Sequence, residues 1–160
     1  MVPILMNRHS TENSAFPRAT PILIADDNSM YREILRLILD AYGYCCLEAN
    51  DGKAALGIVR TTSVGFIVTD FHMPHVNGCE LLEQLSREGV TRPPAVLVTG
   101  DLTDQIQHRA LQAGAITVLE KPFDQKTLLG IIHLYYQQSP SYKGVMASSS
   151  VPLPDTKLYN

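Results

Sequence analysis

Four short apolar runs, each followed by a charged or hydroxyl side chain, constrain the fold of this 160-residue chain most. Ile22–Ala25 leads to Asp26 and Asp27, Phe66–Thr69 to Asp70, Ala95–Val98 to Thr99, and Ile116–Leu119 to Lys121. None alternates apolar with polar residues, so each suits a strand covered on both faces. Tyr44–Ala49 is a fifth strand-like segment.

Helical spacing fills the intervals. It places Tyr31, Ile34, Leu35, Ile38 and Tyr42 on one face of a helix starting near Asn28 and stopping at Gly43. Asn50-Asp51-Gly52 turns the chain into a helix holding Ala54, Ala55, Ile58 and Val59. Asn77-x-x-Glu80 has capping-box form ahead of Leu81, Leu82 and Leu85. Ile106, Ala110 and Ala113 mark a helix closed by Gly114, and Asp124 caps a last one bearing Leu128, Ile131, Ile132 and Tyr135. Five strands alternating with five helices predict an α/β, doubly wound five-stranded parallel sheet. Spacing agrees: Asp27 to Asp70 is 43 positions, Asp70 to Thr99 is 29, and Thr99 to Lys121 is 22. A βα unit takes about 30 residues or fewer, so the first gap holds two units and the others one each.

Residues 1–20 and 139–160 are rich in Ser, Thr, Pro and Asn and lack periodicity, so both read as flexible segments. That leaves 21–138 as the one folded domain. Of the net charge of −3, each end contributes +1, so the domain itself carries −5. An acidic domain without a basic stripe argues against direct nucleic-acid binding. The apolar runs fall far short of the ~20 residues of a membrane span, so no membrane segment is expected. Cys45, Cys46 and Cys79 cannot all pair, which favours a reduced, cytoplasmic setting.

In open parallel sheets, ligands bind beyond the carboxyl ends of the strands. The residues that gather there are Asp26, Asp27, Asp70, Thr99 and Lys121. Carboxylates ~5 Å apart repel by about 3 kcal/mol per pair at an effective dielectric near 20. A hard divalent cation relieves this; Mg2+ suits oxygen ligands with retained waters, and Mn2+ is the alternative. A carboxylate is also a competent nucleophile towards phosphorus. Thr99 can donate a hydrogen bond to a phosphoryl group there, and Lys121 can neutralise it. Read singly, Asp26-Asp27-Asn28 would merely cap a helix; together with the other three, they describe a site that accepts a phosphoryl group. His72-x-x-His75 is a poor transition-metal pair, because Pro74 breaks the alignment and no third ligand is suitably spaced. Cys79 reads as a plain thiol.

The acidic pair, Thr69-Asp70-Phe71-His72-Met73-Pro74 through Asn77-Gly78, Thr99-Gly100 and Lys121-Pro122-Phe123, in this order and spacing, resemble the receiver domain of two-component response regulators. The resemblance spans roughly 21–138. It implies a flavodoxin-like (βα)5 fold of strand order 2-1-3-4-5, with Asp70 as phosphoacceptor. The donor would be the phosphohistidine of a histidine kinase or a phosphotransfer protein. Metal ligation would fall to Asp27, Asp70 and the backbone carbonyl of His72, with Asp26 acting through water. Thr99 and Lys121 would contact the phosphoryl group, Gly100 and Pro122 would support them, and the bond before Pro122 would be cis. No external substrate is expected, so the chain is not read as an enzyme.

The sequence departs from the family's pattern at Val118, where receiver domains commonly carry an aromatic switch residue. His72 and Asp101 occupy the variable positions that flank the phosphoryl group and influence its loss to water. Signalling is expected through an unknown downstream protein that meets the last two helices. Leu129 and Tyr136, off the main stripe of the last helix, would form either an exposed patch for a partner or homodimer, or peripheral packing. Read as complete, a chain of this length is a stand-alone regulator acting through protein contacts. The alternatives are a receiver-like module that does not cycle phosphate, and a receiver segment of a larger hybrid kinase or regulator. A phosphohydrolase is disfavoured, since the first strand ends in adjacent aspartates rather than Asp-x-Asp and no cap insert is present.

Overall fold

A computed structural model describes residues 20–89 and 92–136. The segments expected to be flexible lie, Thr20 apart, outside the described residues. Ten elements follow in strict alternation: β1 (Ile22–Ala25), α1 (Ser29–Ala41), β2 (Cys46–Ala49), α2 (Gly52–Thr61), β3 (Phe66–Asp70), α3 (Gly78–Arg87), β4 (Ala95–Thr99), α4 (Asp104–Ala113), β5 (Thr117–Glu120) and α5 (Gln125–Tyr136). The strands form one parallel sheet in the order β2-β1-β3-β4-β5, as the resemblance implies. Among the described residues, no helix is long and apolar enough to cross a membrane.

Successive strand residues point to opposite faces of the sheet, and each face has its own core. Leu23, Ala25, Ile67 and Leu97 pack with α2, α3 and α4. Ile22, Ile24, Phe66, Val68, Val96 and Val98 pack with α1 and α5. Most of these side chains are wholly buried, each worth about 1.5–3 kcal/mol over an exposed one.

The helix starts follow the sequence signals. Asn28, Asp51 and Thr103 accept hydrogen bonds from the amides of Tyr31, Ala54 and Ile106. Asn77 and Glu80 complete the expected capping box, at 3.0 Å in both directions. Gly78 opens α3 against the carbonyl oxygen of Asp70, where a Cβ would collide. Its bare backbone lets α3 sit against the end of β3.

Several expectations need correction. In α1 the buried pair is Leu35 and Leu39, one turn apart, whereas Ile34 and Tyr42 are 46% and 36% exposed. The inward face therefore centres about 100° round the helix from Ile34. Strand β2 starts at Cys46 rather than Tyr44, and β5 starts at Thr117 rather than Ile116. Leu129 is buried in the α1/α5 core and forms no exposed patch. Helix α5 is apolar on nearly every side, so its core face is wider than one stripe. The side chain of Tyr136 lies outside the described residues.

His133 is also buried on α5, and burial pushes its pKa below the ordinary histidine value. The unfolded chain then binds a proton more readily than the folded one. Stability should fall as pH drops through about 6.5, the unfolded value, levelling off below the folded pKa. Denaturant midpoints between pH 8 and pH 5 should show this, and His133→Gln should flatten that part of the profile. An unchanged profile in the variant would refute the assignment.

Candidate functional site

Strand alternation aims the site. In β3, Phe66 and Val68 face α1 and α5, so Asp70 continues on that side. Asp26 continues the line of Ile22 and Ile24, and Lys121 that of Leu119. Three residues at the carboxyl ends of three different strands thus converge at one edge of the sheet. Thr99 keeps the opposite parity, with Ala95 and Leu97 on the α2–α4 side.

The Lys121 ammonium bridges the two buried carboxylates. Its Nζ donates to Asp26 Oδ2 and to Asp70 Oδ1, each at 2.7 Å. Asp26 is 1% exposed and Asp70 6%. The second oxygen of Asp26 accepts from the amide of Asn28 at 2.8 Å. Burial raises the Asp70 pKa; Lys121 pulls it back, Asp26 pushes it up, and a hydrogen bond from the His72 amide lowers it. For Lys121, burial opposes the charge, but its bonds to Asp26 and Asp70 outweigh that and hold its pKa above the ordinary lysine value. The lysine therefore stays charged and holds together two carboxylates that would otherwise repel.

Asp27 is exposed beside them. Oxygens of Asp26, Asp27 and Asp70 all lie within 4.8 Å of one another. Three hard oxygen donors this close fit a divalent cation that prefers carboxylates and water. Asp27, His72, Asn77 and Arg109 line an open cleft of about 500 Å³ over this edge.

Thr99 is fully buried, and its hydroxyl oxygen accepts from the Asp101 amide at 3.2 Å. That bond uses a lone pair and leaves the O–H proton to donate. His72, Gly100 and Asp101 are exposed at the rim. The Lys121–Pro122 peptide is cis. Val118 is buried on the α2–α4 side, away from the Lys121 ammonium.

Two residues of the site were not singled out from the sequence. Arg32 donates to the backbone oxygen of Asp26 at 2.7 Å and pairs with Glu48. Tyr31, expected only to pack, lies with its ring centroid 4.0 Å from Lys121 Nζ and meets Phe123 edge-on. Burial, then Asp26 and Asp70, raise its phenol pKa. The available signal was position: Tyr31 is one helical turn past Asp27, hence at the site end of α1.

A family model described as the response regulator receiver domain matches residues 22–133. The chain is 30% identical over 117 residues to the sensor histidine kinase RcsC of Salmonella typhimurium, covering 73% of this chain and 12% of that one. It is 30% identical over 116 residues to the transcriptional regulatory protein FixJ of Azorhizobium caulinodans, covering 72% and 54%. The response regulator MprA of Mycolicibacterium vanbaalenii is 31% identical over 137 residues, covering 86% and 59%. The chain thus spans from 12% to 59% of the length of these relatives. Among solved structures, the Francisella response regulator 1452 receiver domain superposes with a TM-score of 0.69 at 25% identity, covering 74% and 97%. The signal receiver domain of a Syntrophus aciditrophicus signal transduction histidine kinase gives 0.68 at 26%, covering 84% and 98%.

Removing the shared cation should expose the carboxylate repulsion. Lys121→Met should cost about 3 kcal/mol of stability without metal, as expected when a buried ion pair loses one partner. Saturating Mg2+ should recover part of that loss, raising the melting temperature of the variant more than that of the parent. Equal Mg2+ responses in the two proteins would contradict this electrostatic account.

Proposed function

Because this chain belongs to the response regulator receiver domain family, we propose that it accepts a phosphoryl group on Asp70 and signals through protein contacts. The observation that carries the reading is the Lys121 ammonium held at 2.7 Å from both Asp26 and Asp70, with Asp27 alongside. A buried aspartate beside a fixed cation and two further carboxylates is built to receive negative charge and divalent metal together.

In the transfer, a carboxylate oxygen of Asp70 attacks the phosphorus of a phosphohistidine on a histidine kinase or phosphotransfer protein. The new P–O bond forms as the P–N bond breaks, and the imidazole leaves with the electron pair. It needs no redox partner. Lys121 and the Thr99 hydroxyl neutralise and hydrogen-bond the incoming phosphoryl oxygens. Mg2+, or Mn2+ in its place, would be held by Asp27, Asp70 and the His72 carbonyl, with Asp26 through water, and would supply charge neutralisation. His72 and Asp101 at the rim govern how water reaches the product.

The surface beside the site suits a protein donor. Met30, Ile34 and Leu37 are 69%, 46% and 54% exposed and lie along one solvent-facing stripe of α1, starting three residues after Asp27. A donor covering this stripe would bring its phosphohistidine over the site.

Output follows from the same contacts. A phosphoryl group that draws Thr99 and Lys121 towards it moves the loops leading into α4 and α5. These two helices are therefore the face offered to a downstream partner. With Val118 in place of an aromatic, the readout rests on those loops rather than on a turning ring. The same unit would serve alone or as the receiver segment of a longer kinase or regulator, the arrangement its length relative to the matched proteins allows.

Asp70→Asn should keep the fold and abolish Mg2+-dependent labelling by a small acyl phosphate. Beryllium fluoride with Mg2+ should bind the parent and not the variant. Persistent labelling of Asp70→Asn would sink the assignment, and failure of the parent to take either group would favour a module that does not cycle phosphate.

A further inference from the structure

The lysine that joins the two carboxylates also meets an aromatic face. An ammonium has three N–H donors. Two of them are satisfied by Asp26 and Asp70, each at 2.7 Å. The ring of Tyr31 covers the group with its centroid 4.0 Å from Nζ. That is within the range of a cation–π contact, which strengthens as water is excluded.

The ring is itself braced. The Tyr31 amide is tied to the side chain of Asn28 at 3.1 Å, fixing the first turn of α1. Its ring meets Phe123 at 6.4 Å and 80°, an edge-to-face arrangement. Phe123 lies two residues beyond Lys121 and packs in the same α1/α5 core. The wall and the lysine are thus anchored to each other from both sides.

We infer that Tyr31 is a positioning residue for phosphoryl transfer: its ring face holds the Lys121 ammonium in place between the carboxylates and keeps water from its open side. This rests on the phosphoacceptor reading of Asp70. When the P–O bond forms on Asp70, as the bond from phosphorus to the donor's leaving group breaks, Lys121 turns an N–H from the carboxylate to a phosphoryl oxygen. An aliphatic side chain at position 31 would exclude water yet offer the cation nothing during that turn. Water would hydrate the ammonium but would also lie next to the phosphorus. The aromatic face does neither.

Three substitutions separate the ring's electrostatics from its bulk. Tyr31→Phe keeps the face and should match the parent. Tyr31→Leu should lower the rate of labelling by a small acyl phosphate and shorten the label's half-life, each by about threefold to tenfold, the range a partly desolvated cation–π contact implies. Pentafluorophenylalanine at position 31 fills the same space but reverses the ring's charge distribution; it should behave like leucine and keeps the test decisive if the leucine variant misfolds. In the unphosphorylated chain, selective NMR of the Lys121 ammonium should show ring-current shielding and slow proton exchange in the parent and in Tyr31→Phe. Tyr31→Leu should lose both signatures.

Parental labelling rates and half-lives in the fluorinated protein would overturn the inference, as would an unshielded, fast-exchanging ammonium in the parent. A parent that takes no label, or Asp70→Asn that still does, would instead refute the phosphoacceptor reading. The NMR comparison, made without phosphate, would then decide the role of Tyr31 by itself.

Discussion

Two aspartates that end neighbouring strands must share the buried edge of a sheet, and nothing in either strand supplies the cation they need. At about 4 Å and an effective dielectric of 20, two such charges repel by roughly 4 kcal/mol. Relief comes from far along the chain: Lys121 is 95 residues from Asp26 and 51 from Asp70. In the order β2-β1-β3-β4-β5, strand β4 separates β5 from β3. With strands ~4.8 Å apart, the lysine must work across about 10 Å to reach β3. Its long stem and single compact charge suit that span, which a shorter cationic side chain would not cover. Closing the site therefore depends on the last strand docking correctly, and the chemistry is coupled to completion of the fold.

The two-faced core gives the site two different neighbourhoods. Asp26, Asp70 and Lys121 follow the strand residues that face α1 and α5, whereas Thr99 and Val118 follow those on the α2–α4 side. Charge added at Asp70 is thus felt on one face through the lysine and the first turn of α1. On the other it is felt through Thr99 and the loop into α4. The exposed stripe of Met30, Ile34 and Leu37 belongs to the first side. On the second side the buried Val118 offers no aromatic ring.

Close approach of backbone is the less visible constraint. Gly78 brings the start of α3 against the carbonyl of Asp70, and its amide donates to the Phe71 carbonyl at 3.1 Å. The Asn77–Glu80 capping box fixes the same turn. Together they hold the loop that carries His72, whose amide reaches the Asp70 carboxylate. The surroundings of Asp70 are therefore set by helix-capping rules as much as by the charged groups.

The strands, the helix caps and the strand-end residues were legible in the sequence because each depends on neighbours within a few positions. Uninterrupted apolar runs announce doubly covered strands, and Asp26, Asp27, Asp70, Thr99 and Lys121 stand where those runs end. That Asp26 and Asp70 share a face follows from the register of β1 on β3, which pairs Ile22 with Phe66 and Ile24 with Val68. Other features depended on which helix covers that face. Leu129 read as peripheral because helical spacing cannot tell how much of α5 the sheet will cover. Ile34 read as inward because a one-residue rotation of α1 leaves its apolar pattern nearly unchanged. Tyr31 read as one more packing residue, since nothing local tells an aromatic that fills a core from one that faces a cation arriving from a strand 90 positions later. Only the tertiary arrangement, which lays α1 beside β5's lysine across the carboxyl edge of the sheet, decided that its ring would meet an ammonium.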